Sequence, residues 1–468
     1  MALRKKLLAS TMIITISASL LTGCSSSTNT TNITTSNQSK EIVYNDLFKE
    51  NEVMDIKIEI PEDDWNDMKE NAKDEKYHSA NITVGNTKLE NIGIRTKGFS
   101  SLQLVSSNES DRYSFRIKLD KYVNDQNLNG LNEFVLNNNF QDPSYMREYL
   151  SYKALEQLGV DVPETAYTNV YINGELFGFY LAVEAIDDSF IERVTDSNST
   201  DVKLYKADGE NSTLADEESL KNFELKNGED DNMEGLKKLV SAINSIENGN
   251  KGDIESIFDV DTFLKSIAVN TVLGNYDSYN GSKAHNYFLL EEDGVFKYIP
   301  WDYNMAFGGF MEDKGASVTV SIDEPLYNVD ASKRPLITKL LSVDEYKEKY
   351  YGYLQELVDY YDNFEQQVNE LATLIKPYVE NDPTAFYTIE QFEENITASD
   401  TDLSKVENKM PSMKGERPSM PEGMEIPNMQ NGERPSMPEG MGMSVNGDVV
   451  SIVDYLQQRI ENIKTQLS

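Results

Sequence analysis

The chain has one cysteine, two histidines and two tryptophans in 468 residues. A single thiol excludes an intramolecular disulfide, so the fold must stand on its core alone. His78 and His285 are too far apart in the chain to suggest a histidine cluster, and a metal site would have to rest on carboxylates. No Gly-x-Ser-x-Gly elbow, Walker loop or Gly-x-Gly-x-x-Gly fingerprint occurs. Cations are also scarce: 43 Lys and Arg face 80 Asp and Glu, a formal charge of −37. A field of that sign repels nucleic acid and anionic headgroups, and favours cationic partners and divalent metals. Much of it also serves solubility.

Core-forming residues are plentiful. Hydrophobic content is 39%, aromatics are 10%, and 26 residues are tyrosine, which suits half-buried positions where the hydroxyl finds a partner. The length is too great for one small core, so two lobes are expected.

The first residues indicate a destination. Arg4-Lys5-Lys6 precedes a mostly apolar run over residues 7–21, too short to span a bilayer comfortably, and Leu21-Thr22-Gly23-Cys24 then matches a lipobox. Cleavage before Cys24 and its lipidation would anchor the chain to a membrane on the extracytoplasmic side, and would use up the one thiol. Removing residues 1–23, which carry three cations and no acids, takes the charge from −37 to −40. Residues 24–45 are read as a disordered tether, because the Ser-, Thr- and Asn-rich stretch 25–40 has too little apolar surface to offset chain entropy.

Period-two alternation predicts strands over 53–60, 80–84, 88–94, 113–119 and 134–139, with a helix start at Pro61 and a tight turn at Gly85-Asn86. Asp142 and Pro143 read as the cap and first residue of a helix reaching to Gly159. Residues 166–183 read as a hairpin about Asn173-Gly174. Beyond them the period becomes helical, over 233–246, 254–267, 340–375 and 449–467. Residues 400–446 read as a low-complexity insert, in which Gly-Glu-Arg-Pro-Ser-Met-Pro-Glu-Gly-Met occurs twice. Ser419 and Ser436 in these repeats are accessible candidates for self-modification, or part of an inert spacer. The expected layout is a β-rich N-terminal lobe over 46–190 and a mainly helical C-terminal lobe over 191–468.

The stretch 275–309 stands out inside the helical part. Two acid-bearing turns, one with Asp277 and one with Asp302 and Asn304, flank an aromatic hairpin. Asp302 follows a strand end and precedes Gly308-Gly309, so it can ligate a hard cation, with Asn304 or Asn286 adding a carbonyl; it can equally cap the turn. Asp277 can accept a proton from an attacking hydroxyl, or be an ordinary loop acid. His285 reads as a hydrogen-bonded core histidine. The strand cations Arg95, Lys97, Arg116 and Lys118 can hold phosphates across a cleft, or form a solvated face. Glu148 can orient one of them, and Arg147 competes for a phosphate contact.

Taken in order, R-T-K-G-F-S-S, F-R-I-K-L, D-P-S-Y-M-R-E-Y-L, V-Y-I-N-G-E-L-F-G-F-Y, H-N-Y-F-L-L and I-P-W-D-Y-N-M-A-F-G resemble the CotH family, the spore coat protein H type of atypical secreted protein kinase, over about residues 50–310. The resemblance implies an α+β, divergent protein-kinase-like two-lobed fold. It also implies ATP with Mg²⁺ or Mn²⁺, and γ-phosphoryl transfer to Ser or Thr of exported proteins. By position, Asp302 matches the metal-binding Asp that stands where ordinary kinases have Asp-Phe-Gly, and Asp277 the catalytic-loop Asp. Lys118 is taken as the phosphate-pairing lysine and Glu148 as its helix partner. The chain departs from ordinary kinases in having no glycine loop, so Gly98, Ser100 and Ser101 would have to cover the phosphates. Ser282 stands where the second metal ligand is expected, which leaves Asn286 as the substitute. A surface binding protein that kept the fold and lost catalysis is the alternative, and a metal-dependent hydrolase using the same two acids a weaker one.

Overall fold

Seven strands close into a barrel in the computed structural model. It describes residue 44 and residues 47–468, apart from 109, 197, 248, 311, 312, 314 and 407–448. Cys24, the tether up to residue 43, Ser419, Ser436 and nearly all of the insert lie outside the described residues. Glu41–Ser468 forms one compact unit.

The barrel strands are β1 (Met54–Glu59), β2 (His78–Val84), β3 (Thr87–Lys97), β4 (Ser114–Lys118), β5 (Glu133–Asn137), β6 (Thr165–Ile172) and β7 (Glu175–Glu184). Their order is β1-β2-β3-β4-β5-β7-β6, closed by parallel pairing of β1 with β6. Alternation in β1 is strict: Met54, Ile56 and Ile58 point inward and Asp55, Lys57 and Glu59 outward. Ile56, Ile58, Ile82, Ile94, Phe115, Ile117 and Phe134 fill the interior. The turn between β6 and β7 holds Asn173 and Gly174 both at positive φ, as a two-residue hairpin requires.

Three helices interrupt the barrel strands: α1 (Glu62–Glu70), α2 (Ser100–Ser107) and α3 (Arg147–Gln157). α3 starts later than Asp142-Pro143 suggests. Asp142 caps a turn instead, accepting the Ser144 and Arg147 N–H groups, and Tyr145 at φ +58° breaks the helical path. Packing also starts before the expected end of the tether, because buried Tyr44 donates its hydroxyl to the Ser189 carbonyl.

After α4 (Asp188–Val194), a second sheet is built from β8 (Val202–Ala207) and β9 (Phe223–Asn227). Helices α5 (Glu234–Ser245) and α6 (Val260–Leu273) follow, and then the aromatic hairpin of β10 (Tyr287–Glu292) and β11 (Val295–Pro300). The order is β11-β10-β8-β9, antiparallel throughout. The hairpin is therefore part of a four-stranded sheet rather than an isolated ribbon, with β11 at the edge and β10 inside. β10 also pairs with β8, and that pairing joins the hairpin to the rest of the sheet.

The remaining helices are α7 (Pro335–Leu340), α8 (Asp344–Tyr360), α9 (Phe364–Glu380), α10 (Ile389–Asn395) and α11 (Ile452–Leu467). The predicted helical region 340–375 is thus split by a short turn at Tyr361–Asn363. The first residues of the expected insert are folded: Leu403 is buried, and its N–H bonds the Gln458 side chain of α11. One apolar core runs from α3 and the outer side of β6 and β7 through α6, α8, α9 and α11. No helix among the described residues is long and apolar enough to cross a membrane.

Candidate active site

Chain segments between residues 97 and 302 meet beside α3. The ends of β3 and β5 supply Lys97 and Asn137, α3 supplies Glu148, the turn after α6 supplies Asp277, and the turns on either side of the β10–β11 hairpin supply Asn286 and Asp302.

Lys97 Nζ donates to Asn137 Oδ1 at 2.8 Å, and Asn137 Nδ2 donates to Glu148 Oε2 at 2.7 Å. The lysine and the glutamate are thus joined through one amide rather than by a direct ion pair. Lys97 Nζ also lies 5.9 Å over the Trp301 ring. Burial lowers the Lys97 ammonium pKa, and the Asp302 and Glu148 charges oppose that shift. Burial pushes the Glu148 carboxyl up to about 7, the Asp302 charge adds to the push, and Lys97 resists it. Asp302 is pushed up in the same way, by burial first and against Lys97. Desolvation therefore outweighs mutual attraction at all three groups. A site of this kind is short of counter-charge on both sides.

Lys118 does not occupy the expected position. It bonds Glu133 at 3.1 Å and lies 3.4 Å from Asp120. The reason is register. Lys118 pairs with Gly93 across the ladder, four residues back along β3 from Lys97, or roughly 13 Å at the strand rise. Arg116 is likewise engaged by Glu133. Arg147 is not a phosphate contact either. Its fully buried guanidinium donates to Ala306 O at 2.6 Å, Phe307 O at 2.9 Å, Asn395 Oδ1 at 3.1 Å and Val450 O, and so fastens the turn after Asp302 to α3 and the start of α11.

His285, read from sequence as a core histidine, belongs to the site. Its Nε2 lies 2.7 Å from Asp277 Oδ1. Asn286 Nδ2 donates to the Asp277 carbonyl at 2.9 Å and to Oδ2 at 3.2 Å. Both Asp277 oxygens are thereby oriented, and a carboxylate still has lone pairs left to accept a proton. The turn that carries Asp277 is fixed from below. Arg334 donates to the carbonyls of Gly281 and Ser282. Gly281 must be glycine, because a Cβ would stand 1.6 Å from Tyr276 O.

The backbone is strained where the chemistry would occur. Ala284 (φ +52°), Asn286 (φ +56°), Asp302 (φ +61°) and Phe307 (φ +57°) are all left-handed without being glycine. Tyr303, next to Asp302, anchors itself by its hydroxyl to Asn270 Oδ1 at 2.7 Å, at the end of α6. Phe307 N–H bonds the Leu273 carbonyl. Sequence reading missed Asn137 and Tyr152, whose hydroxyl accepts the Asp302 N–H. A run of three asparagines at a strand end, residues 137–139, was the available signal for the first.

Whether this donor set fits a divalent cation can be judged from Asp302. Among the described residues its carboxylate makes no hydrogen bond or ion pair. The Asn286 amide nitrogen is spent on Asp277, which leaves its carbonyl oxygen available. Among the described residues, no group of three or more acidic, histidine or cysteine side chains could enclose a metal ion. The set fits a cation held by one carboxylate and one amide and completed by phosphate oxygens, as Mg²⁺ commonly is.

A lysine linked through an amide to a helix glutamate, with two aspartates from the turns around one hairpin, is the kind of arrangement a kinase-type protein uses. The comparisons agree. The family described as CotH kinase protein matches residues 94–408, about two thirds of the chain, and the chain belongs to that family. It is 27% identical over 277 residues to the inner spore coat protein H of Bacillus subtilis, covering 56% of this chain and 73% of that protein. It is 22% identical over 350 residues to the spore coat protein homolog 1 of Rhizopus delemar, covering 72% of this chain and 54% of that protein. The chain therefore spans about half the length of the fungal relative. Among solved structures, the Helicobacter pylori proinflammatory kinase CtkA is similar at 14% identity and a TM-score of 0.25, covering 60% of this chain and 94% of that one, too slight a likeness to bear on the fold.

Proposed function

We propose that the protein is a lipid-anchored, extracytoplasmic protein kinase that transfers the γ-phosphoryl group of ATP to Ser or Thr of exported proteins, spore coat proteins among them. The convergence of Asp277, Asp302 and the Lys97–Asn137–Glu148 chain on one face of α3 carries this reading. The spore coat names of the relatives support the choice of substrate and place, and the lipobox at Cys24 supports the anchor.

ATP supplies the transferred group, and Mg²⁺ or Mn²⁺ supplies charge neutralisation. The chain does the rest by position and charge. Asp302 and the Asn286 carbonyl would hold the cation. Lys97 would face the phosphates, with Asn137 and Glu148 setting its direction. Counter-charge of both signs then relieves the desolvation that pushes Lys97 and Asp302 toward their neutral forms. Asp277 takes the proton from the substrate hydroxyl as its oxygen bonds phosphorus and the bond to the ADP oxygen breaks; His285 and Asn286 keep the carboxylate turned toward that hydroxyl.

The test is to incubate the purified protein with labelled ATP, Mg²⁺ or Mn²⁺ and a Ser/Thr-rich acceptor protein, beside Asp277→Ala and Asp302→Ala. Metal-dependent label in the wild type, with a loss of at least 10²-fold in each variant, is expected. No label in the wild type refutes the kinase and leaves a binding protein that kept the fold. Equal label in all three refutes the residue roles.

A further inference from the structure

We propose that Tyr152 is a positioning residue whose hydroxyl holds Asp302 in its left-handed backbone conformation and so aims the metal-binding carboxylate. This rests on the kinase reading above.

Tyr152 stands one helical turn after Glu148 on α3, so both side chains leave the same face. Its side chain is fully buried. The hydroxyl accepts the Asp302 N–H at 3.2 Å and lies 3.5 Å from Glu148 Oε1, toward which its own proton points. Among the described residues the Asp302 N–H has no other acceptor. Asp302 sits at φ +61°, a conformation that an L-residue keeps only when its surroundings impose it. α3 imposes it at two points. Tyr152 accepts the N–H at residue 302, and Arg147 donates to the carbonyls of Ala306 and Phe307 four and five residues on. The ring needs no hydroxyl to pack, since it lies 5.6 Å from the Tyr303 ring. A phenylalanine would fill the same space. What it would lack is the acceptor for Asp302, and a buried polar hydroxyl is explained by that bond. The device also ties the helix bearing Glu148 to the turn bearing Asp302, so the two acids keep one spacing.

The test uses the full-length protein with Tyr152→Phe, and Tyr350→Phe as a control. Tyr350 is also buried and loses one hydroxyl bond, to Thr271 at 2.9 Å, but it does not touch the site. Mn²⁺ affinity in the presence of a non-hydrolysable ATP analogue is read from the free-ion electron paramagnetic resonance signal. Metal activation of phosphoryl transfer and the melting temperature are measured alongside. Tyr152→Phe is expected to weaken Mn²⁺ binding about tenfold and raise the half-activating metal concentration to match, while the KM for ATP at saturating metal stays within about twofold. Tyr350→Phe should match the wild type in all three. Unchanged Mn²⁺ affinity in Tyr152→Phe overturns the proposal. So does an equal loss in Tyr350→Phe, or a Tyr152→Phe protein that melts far below the control, since the hydroxyl would then serve the fold. A wild type that neither binds Mn²⁺ with the analogue nor transfers phosphate refutes the kinase reading itself and the proposal with it. An active wild type with an indifferent Tyr152→Phe refutes this proposal alone.

Discussion

Glu148 is a buried acid with too little counter-charge, and this makes stability depend on pH in a calculable way. Its ordinary value of 4.5 rises to about 7 in the folded protein, through burial first and the Asp302 charge second. Between pH 4.5 and 7 the folded chain therefore holds a proton that the unfolded chain has released. Stability must fall as pH rises through that window and level off above it. The full rise corresponds to about 3 kcal/mol. For a folded unit of roughly 400 residues, that is about 4 °C of melting temperature. Glu148→Gln keeps an oxygen for Asn137 Nδ2 and carries no proton to lose. It also relieves Asp302 of a neighbouring charge. Melting curves of both proteins without nucleotide or metal, at pH 5 and pH 8, report the Glu148 carboxyl together with its coupling to Asp302. Asp187, pushed up to about 8 by burial, and Asp313, pushed up to about 6, titrate in both proteins and cancel in the difference. The wild type should lose about 4 °C more than the variant between the two pH values. Parallel losses would refute the account, and would mean that Glu148 is ionised throughout.

Two further outcomes follow from the same geometry. Lys97→Met should cut kcat/KM for ATP by about 10- to 100-fold, the worth of a charged contact, while Lys118→Met stays within about threefold; the reverse order in steady-state kinetics would restore Lys118 as the nucleotide lysine. Arg112, fully buried, pairs with Asp382 at 2.7 Å and donates to the carbonyls of Asn138 and Phe179, joining the barrel to the chain after α9. Arg112→Met strands a buried carboxylate and should cost about 3–5 kcal/mol in urea unfolding, of which Asp382→Asn added to it should recover part.

Much of the site was legible because it is local. The β10–β11 hairpin, with acid-bearing turns before and after it, needs only two short aromatic and apolar runs and a tight turn, all written within about 35 residues. The turn at Asn173-Gly174 and the last helix are legible for the same reason. β8 was not, because it is a strand by virtue of pairing with β10, more than 80 residues away.

The sequence alone therefore determined which polar groups the candidate site can draw on: carboxylates and amides rather than thiols or histidine clusters, and the two aspartates that flank one hairpin. Only the tertiary structure decided which cation faces Glu148. Arg95, Lys97, Arg116 and Lys118 alternate identically along their strands, and register alone gives Lys97 the place beside α3 while Glu133 takes Arg116 and Lys118. It also brought His285 into contact with Asp277 and buried Arg147 as a backbone clamp. Each of these depends on groups brought together by packing and turn geometry, and charge pairing in a desolvated cleft is decided by distances of a few ångströms that spacing along the chain does not encode.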